Sequence, residues 1–260
     1  MQPKIPDILA LDFDGVICDG LIEYFQTAWR TYCQIWSPED RRLSEAIAPS
    51  FYRLRPVIET GWEMPILIRA QLQGVEETDI LENWQAIARK IVKAEGLNPP
   101  EIAEKLDRVR DEWIASDLEG WLSLHRFYPG VAQRLRAVSN SSVQIVIITT
   151  KEGRFARSLL QRAGVQLSDR AIYGKESKRP KHEILREFVK GGTEPSAIWF
   201  VEDRLKTLET VRQHGDLDPV RLYLAEWGYN TQKERDRCRN DSRIRLLSLS
   251  QFGRSLSEWR

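Results

Sequence analysis

Asp12 and Asp14, in the stretch Ile8-Leu9-Ala10-Leu11-Asp12-Phe13-Asp14-Gly15-Val16, put two carboxylates at the end of a short apolar run. The run has the character of a buried strand, and Gly15 lets the chain turn directly after it. In open α/β sheets ligands bind beyond the carboxyl ends of the strands. Two carboxylates there can hold a divalent cation and can also supply an anionic nucleophile. An acidic turn facing water is the simpler use of such a pair, so its meaning depends on what other segments arrive at the same edge.

Three further segments could arrive there. Ile147-Ile148-Thr149-Thr150-Lys151 is an apolar run ending in hydroxyls, with Gly153 and a helical pattern behind it. A threonine hydroxyl at that point can donate to an anionic oxygen, and the amides of the following turn point the same way. Lys178-Arg179-Pro180-Lys181 precedes a helical pattern from His182 to Val189, and a lysine beside carboxylates and a phosphoryl group would balance their charge. Ile198-Trp199-Phe200-Val201-Glu202-Asp203 is a second apolar run that ends in acids. Magnesium prefers several hard oxygen ligands in a near-octahedral array, which two acidic strand ends could share.

The elements that must position these groups are strands and helices in alternation. Strand-like runs recur at 8–11, 143–148, 198–201 and 220–224, with weaker ones at 171–173 and 244–247. Val131, Leu135 and Val138 are spaced as on a helix, as are Phe155, Leu159, Leu160 and Ala163 before Gly164; the pattern from His182 to Val189 closes at Gly191-Gly192. Alternation of this kind predicts a doubly wound, parallel α/β sheet with right-handed crossovers. The stretch 19–125 shows only helical spacing, for example Leu21, Tyr24, Phe25, Ala28 and Trp29, then Leu81, Trp84, Ile87 and Ala88, then Ile102, Leu106, Val109 and Trp113. The expected division is therefore an α/β core of residues 1–18 and 126–260 with a helical insertion of residues 19–125. The aromatics of the insertion are expected to be core, and the segment 249–260 a short helix or a frayed end.

Taken together these segments resemble the haloacid dehalogenase superfamily. Asp12-Phe13-Asp14-Gly15-Val16 is similar to its first motif, DxDx[TV]; Thr149 fits the second, a hydroxyl ending a strand; Glu202-Asp203 fits the fourth, an acidic pair after a strand. The third motif is a lysine ahead of a helix, and both Lys178 and Lys181 qualify. Counting back from the acidic pair favours Lys178, whereas counting forward to Leu185 favours Lys181; Lys181 is preferred because it lies immediately before the helix. The resemblance implies a Rossmann-like core with a helical cap inserted after the first motif. It also implies Asp12 as nucleophile, Asp14 as general acid–base, and magnesium held by Asp12, the Asp14 carbonyl, Glu202 and Asp203. Thr149 and Lys181 would bind the phosphoryl oxygens, with Thr150, Lys178, Arg53 and Arg55 as further substrate contacts. The implied activity is magnesium-dependent hydrolysis of a small phosphorylated metabolite through an aspartyl-phosphate. Relatives that cleave carbon–halogen bonds lack the second aspartate. A phosphomutase, or a protein that keeps the fold with little turnover, is the alternative.

In the insertion, Arg53-Leu-Arg55-Pro-Val-Ile-Glu59-Thr-Gly61-Trp62-Glu63 gathers charge and aromatic surface as a substrate-facing loop would. An arginine there would favour a substrate with a carboxylate or second phosphate, such as phosphoglycolate. With 39 basic and 38 acidic residues the net charge is +1, so no overall field draws the protein to nucleic acid or an anionic membrane. Cys18, Cys33 and Cys238 form no metal-binding or disulfide spacing, and there is neither a signal-like amino terminus nor a run of membrane-spanning length. A soluble, cytoplasmic protein is expected. His125, His182 and His214 show no ligand spacing, His182 being a first-turn helix residue. The oligomeric state is left open by the sequence.

Overall fold

The computed structural model of the chain describes residues 5–42 and 46–259. The described residues form two compact units, one running up to Asp19 and resuming at Arg126, the other spanning Gly20–His125.

The first unit is built on a parallel sheet. Its strands are β1 (Ile8–Leu11), β4 (Gln144–Ile148), β5 (Ile172–Tyr173), β6 (Ile198–Glu202), β7 (Arg221–Ala225) and β8 (Ile244–Leu247); β2 (Cys18–Asp19) and β3 (Arg126–Phe127) form a separate antiparallel ribbon. The sheet order is β5-β4-β1-β6-β7-β8, and every neighbouring pair in it is parallel. Helices Val131–Ser139, Gly153–Arg162, Lys181–Lys190, Leu205–Arg212 and Gln232–Arg239 provide the crossovers that parallel pairing requires. This is the doubly wound, Rossmann-like α/β fold.

Both faces of the sheet are covered. Ile8, Ala10, Val146, Ile148, Ile198, Phe200, Leu222 and Leu224 pack in one apolar cluster with Ile184, Leu185, Leu205, Leu208 and Val211 from two helices. The alternate residues Leu9, Leu11, Ile145, Ile147, Trp199, Val201 and Tyr223 are equally buried. A period of two with both sets buried is why these strands are continuous apolar runs in the sequence. The carboxyl-terminal segment is no frayed end: Leu249–Phe252 is a short helix, and Trp259 is buried against Trp199, Tyr223 and Phe252. Arg260 lies outside the described residues.

The second unit is helical, with helices Leu21–Trp36, Ala48–Leu54, Glu63–Leu72, Glu77–Ala94, Pro99–Ser116 and Leu118–Ser123 and no strand among its described residues. Its aromatics are packed on one another, Trp29 on Tyr32 and Tyr32 on Trp36, and Trp113 and Trp121 are buried. The buried stripe of Glu77–Ala94 is Ile80, Trp84, Ala88 and Ile91, so Leu81 falls beside it and stays exposed. Glu23, fully buried, accepts from Thr27, Arg110 and the Trp121 indole, which satisfies its charge inside the unit. The segment expected as a loop, 53–63, runs from the last turn of the helix Ala48–Leu54 through a 3₁₀ turn, Arg55–Val57, and a short connection to the helix that starts at Glu63.

Candidate active site

β1 lies between β4 and β6, where the chain reverses its direction of travel across the sheet. Crevices at such switch points are the ligand sites of this architecture. The register pairs Ile8 with Ile198 and continues to Leu11 with Val201, so the residues that follow, Asp12 on one strand and Glu202-Asp203 on the other, emerge at one edge. The Asp12 amide donates to the Val201 carbonyl at 2.9 Å, extending the pairing one step into the site.

Asp12, Glu202 and Asp203 are all buried, and each offers a carboxylate oxygen within 4.8 Å of the others. Lys181, the first residue of its helix, brings its Nζ to 2.8 Å from Asp12 Oδ1 and donates to Glu202 Oε2 at 2.6 Å. The contact with Asp12 is an ion pair. Lys178 is exposed, with positive φ at the end of the turn Lys175–Ser177, and no ion pair joins it to the carboxylates among the described residues. Lys181 is the lysine that the fold delivers, because Pro180 ends the loop and the helix then sets the side-chain direction.

Burial raises Asp12 to about 7, with Lys181 opposing and Glu202 adding to the rise. Burial likewise raises Glu202 to about 7, and raises Asp203 to about 6, where the Asp12 charge adds to it. Lys181 is pushed upward: burial works against its charge, but Asp12 and Glu202 outweigh it. Three buried carboxylates with one lysine leave an excess of negative charge, which a cation would neutralise.

Asp14 faces Lys151, whose Nζ is 3.4 Å from Asp14 Oδ2; Asp14 Oδ1 is buried without a donor. Thr149 is buried at the end of β4, and its Oγ1 accepts from the Lys151 amide at 3.0 Å, which leaves the hydroxyl proton to donate elsewhere. Thr150 is exposed. Arg53 and Arg55 belong to the helical unit. There Arg53 forms an exposed ion pair with Glu77, while Arg55 donates to the Ile58 carbonyl and lies 5.0 Å above the Tyr24 ring.

Two contributors were not singled out from sequence. Lys151 stands two residues after Thr149, and only the fold shows that it returns to Asp14. The turn Glu226–Asn230 follows β7, and there the Tyr229 amide donates to Asp203 Oδ2 at 2.7 Å while Asn230 Nδ2 donates to the Asp203 carbonyl at 3.0 Å. Trp227-Gly228-Tyr229-Asn230, a glycine among large aromatics just after a strand, was the available signal. Gly15 and Gly228 are glycines for want of space: a Cβ on Gly15 would overlap Asp203 Oδ2, and one on Gly228 would overlap the Asp203 Cβ. Gly15 also has φ +87°, which other residues rarely adopt.

Oxygen donors of this kind suit a small hard cation, and three buried carboxylates within 4.8 Å of one another, with a single lysine among them, leave charge for it to balance. No helix of the described residues is long and apolar enough to cross a membrane.

The chain is 26% identical over 160 residues to phosphoglycolate phosphatase of Synechococcus elongatus, an alignment spanning 61% of this chain and 71% of that one. It is 26% identical over 175 residues to N-acetylmuramic acid 6-phosphate phosphatase of Pseudomonas aeruginosa, spanning 65% and 72%. Among solved structures, a predicted phosphoglycolate phosphatase from Haemophilus somnus superposes with a TM-score of 0.60 at 14% identity over 95% of both chains, which shows a shared fold. The sequence model of the haloacid dehalogenase-like hydrolases matches residues 6–215. With that match over most of its length, the chain belongs to the haloacid dehalogenase-like hydrolase family.

Proposed function

We propose that this hydrolase of phosphoric monoesters is magnesium-dependent and acts through an aspartyl-phosphate on Asp12. The observation that carries the proposal is the gathering of Asp12, Glu202 and Asp203 within 4.8 Å, with Lys181 between two of them. Asp12, Asp203 and the Asp14 carbonyl would hold the cation, with Glu202 beside them and engaged by Lys181. When bound, magnesium would screen the repulsion between an anionic nucleophile and a phosphate dianion.

The Asp12 carboxylate attacks phosphorus, and the bond from phosphorus to the leaving oxygen breaks. Asp14 gives its proton to that oxygen, so the alcohol departs neutral. The same carboxylate then takes a proton from a water that attacks the acyl phosphate, releasing phosphate and restoring Asp12. Lys181 and the Thr149 hydroxyl bind the oxygens of the transferring group, on which negative charge is spread. Lys151 holds Asp14 in place between the two steps.

The substrate class is a small phosphomonoester that also carries a carboxylate. Phosphoglycolate and N-acetylmuramic acid 6-phosphate, named for the two relatives, share those two groups. The test is phosphate release from both compounds, and from an aryl phosphate, with magnesium or with chelator. Turnover that needs magnesium and falls at least about 10⁴-fold in Asp12→Asn is expected. Equal phosphate release by the wild type and Asp12→Asn refutes the proposal.

A further inference from the structure

The Glu226–Asn230 turn touches the first-motif turn at several points. Tyr229 is buried; its amide donates to Asp203 Oδ2 and its phenol donates to Asp19 Oδ1 at 3.0 Å. The neighbouring Trp227 indole donates to the Val16 carbonyl at 3.1 Å. Between these anchors Gly228 packs against both Asp203 and the Gly15 carbonyl, with no room for a Cβ. Asn230 and Arg204 complete the attachment. The buried Asn230 amide bridges the Asp203 and Ala225 carbonyls, and Arg204 donates to the Tyr229 carbonyl at 2.9 Å.

A carboxylate that serves a cation through one oxygen is oriented by the donor that holds the other. The Tyr229 amide is that donor for Asp203, and an amide cannot be aimed except by fixing the residue that carries it. We propose that Tyr229 and Trp227 are positioning residues for the cation site: their side chains pin the turn to Asp19 and Val16, and the pinned Tyr229 amide sets the Asp203 carboxylate. Neither side chain touches the cation. Both act on Asp203 through the Tyr229 amide, whereas Lys181 engages Asp12 and Glu202. Partners of this kind, one shell out from a metal ligand, typically contribute 10–100-fold to metal affinity.

This inference rests on the magnesium reading above, and the experiment separates the two. Full-length wild type, Tyr229→Phe and Trp227→Phe are freed of metal with chelator, and magnesium alone is titrated in by calorimetry. The melting temperature of each metal-free protein is recorded alongside. The dissociation constant for magnesium is expected to rise about tenfold in Tyr229→Phe and by several-fold in Trp227→Phe, with metal-free melting only a few degrees lower. Residues that serve packing alone would lower the melting temperature and leave magnesium affinity at the wild-type value, and that result overturns the inference. Should Tyr229→Phe fail to fold, the affinity of Trp227→Phe decides. A wild type that binds no magnesium overturns the metal reading and the inference together, whereas equal binding by all three proteins overturns the inference alone.

Discussion

Replacing Lys181 with methionine tests the electrostatics of the site directly. The change removes an ammonium 2.8 Å from Asp12 and 2.6 Å from Glu202 while keeping an apolar stem of similar length. In metal-free protein at pH 8 both carboxylates are above their raised value of about 7 and largely ionised. The variant then holds two buried anions side by side. Breaking a buried ion pair from one side costs about 3–5 kcal/mol. Proton uptake by carboxylates already raised by burial relieves part of this, so the lower figure, about 3 kcal/mol, is expected. For a chain of this size each kcal/mol corresponds to about 2–4 °C, which puts the variant about 6–12 °C below the wild type. At pH 5.5 the two carboxylates of the wild type are largely protonated, so Lys181 no longer holds two anions together. Removing it there costs little, under about 1 kcal/mol, and the gap closes to about 3 °C or less. Melting followed by tryptophan fluorescence in chelator, at both pH values, is the assay. A gap of equal size at pH 5.5 and pH 8, or none at pH 8, refutes the reasoning.

Two further outcomes follow from the same residues. Gly15→Ala places a Cβ on Asp203 Oδ2 at a backbone angle of φ +87°, so the Asp203 carboxylate must move. The magnesium concentration for half-maximal activity should rise about tenfold or more, measured by titrating activity with the metal. The raised values of Asp12, Glu202 and Asp203 mean that the folded chain keeps protons its unfolded form releases. Their contribution to metal-free stability is therefore fully present below the ordinary carboxylate range and is lost as pH rises through about 6 to 7. Magnesium needs the ionised carboxylates, so its affinity and the melting shift it produces should both grow across that window, as a comparison of pH 5.5 with pH 8 would show.

The chemistry of this chain is legible at its strand ends. Leu11-Asp12, Ile148-Thr149 and Val201-Glu202-Asp203 join apolar runs to polar groups, and a parallel sheet brings its carboxyl ends to one edge whatever the loops do. That is a local pattern combined with a general topological rule, so the sequence alone identifies the sheet, the helical insertion and the acids. Lys181 against Lys178 is a different matter. Both are lysines near Pro180, and the choice depends on where the helix begins relative to Asp12, a distance across the fold that spacing does not encode. Lys151 reaching Asp14 and the Tyr229 amide reaching Asp203 are likewise contacts between distant segments. A backbone amide leaves no trace in residue type, which is why the support of Asp203 emerges only from the tertiary structure. The carboxyl-terminal segment shows the same limit, because Trp259 is held by the aromatic surface of Trp199 and Tyr223 rather than by any pattern of its own segment. The sequence by itself determined which groups could react, through side-chain chemistry and strand periodicity. The tertiary structure decided which of them share charge, because electrostatic coupling depends on separation and burial, and both are set by packing across the sheet.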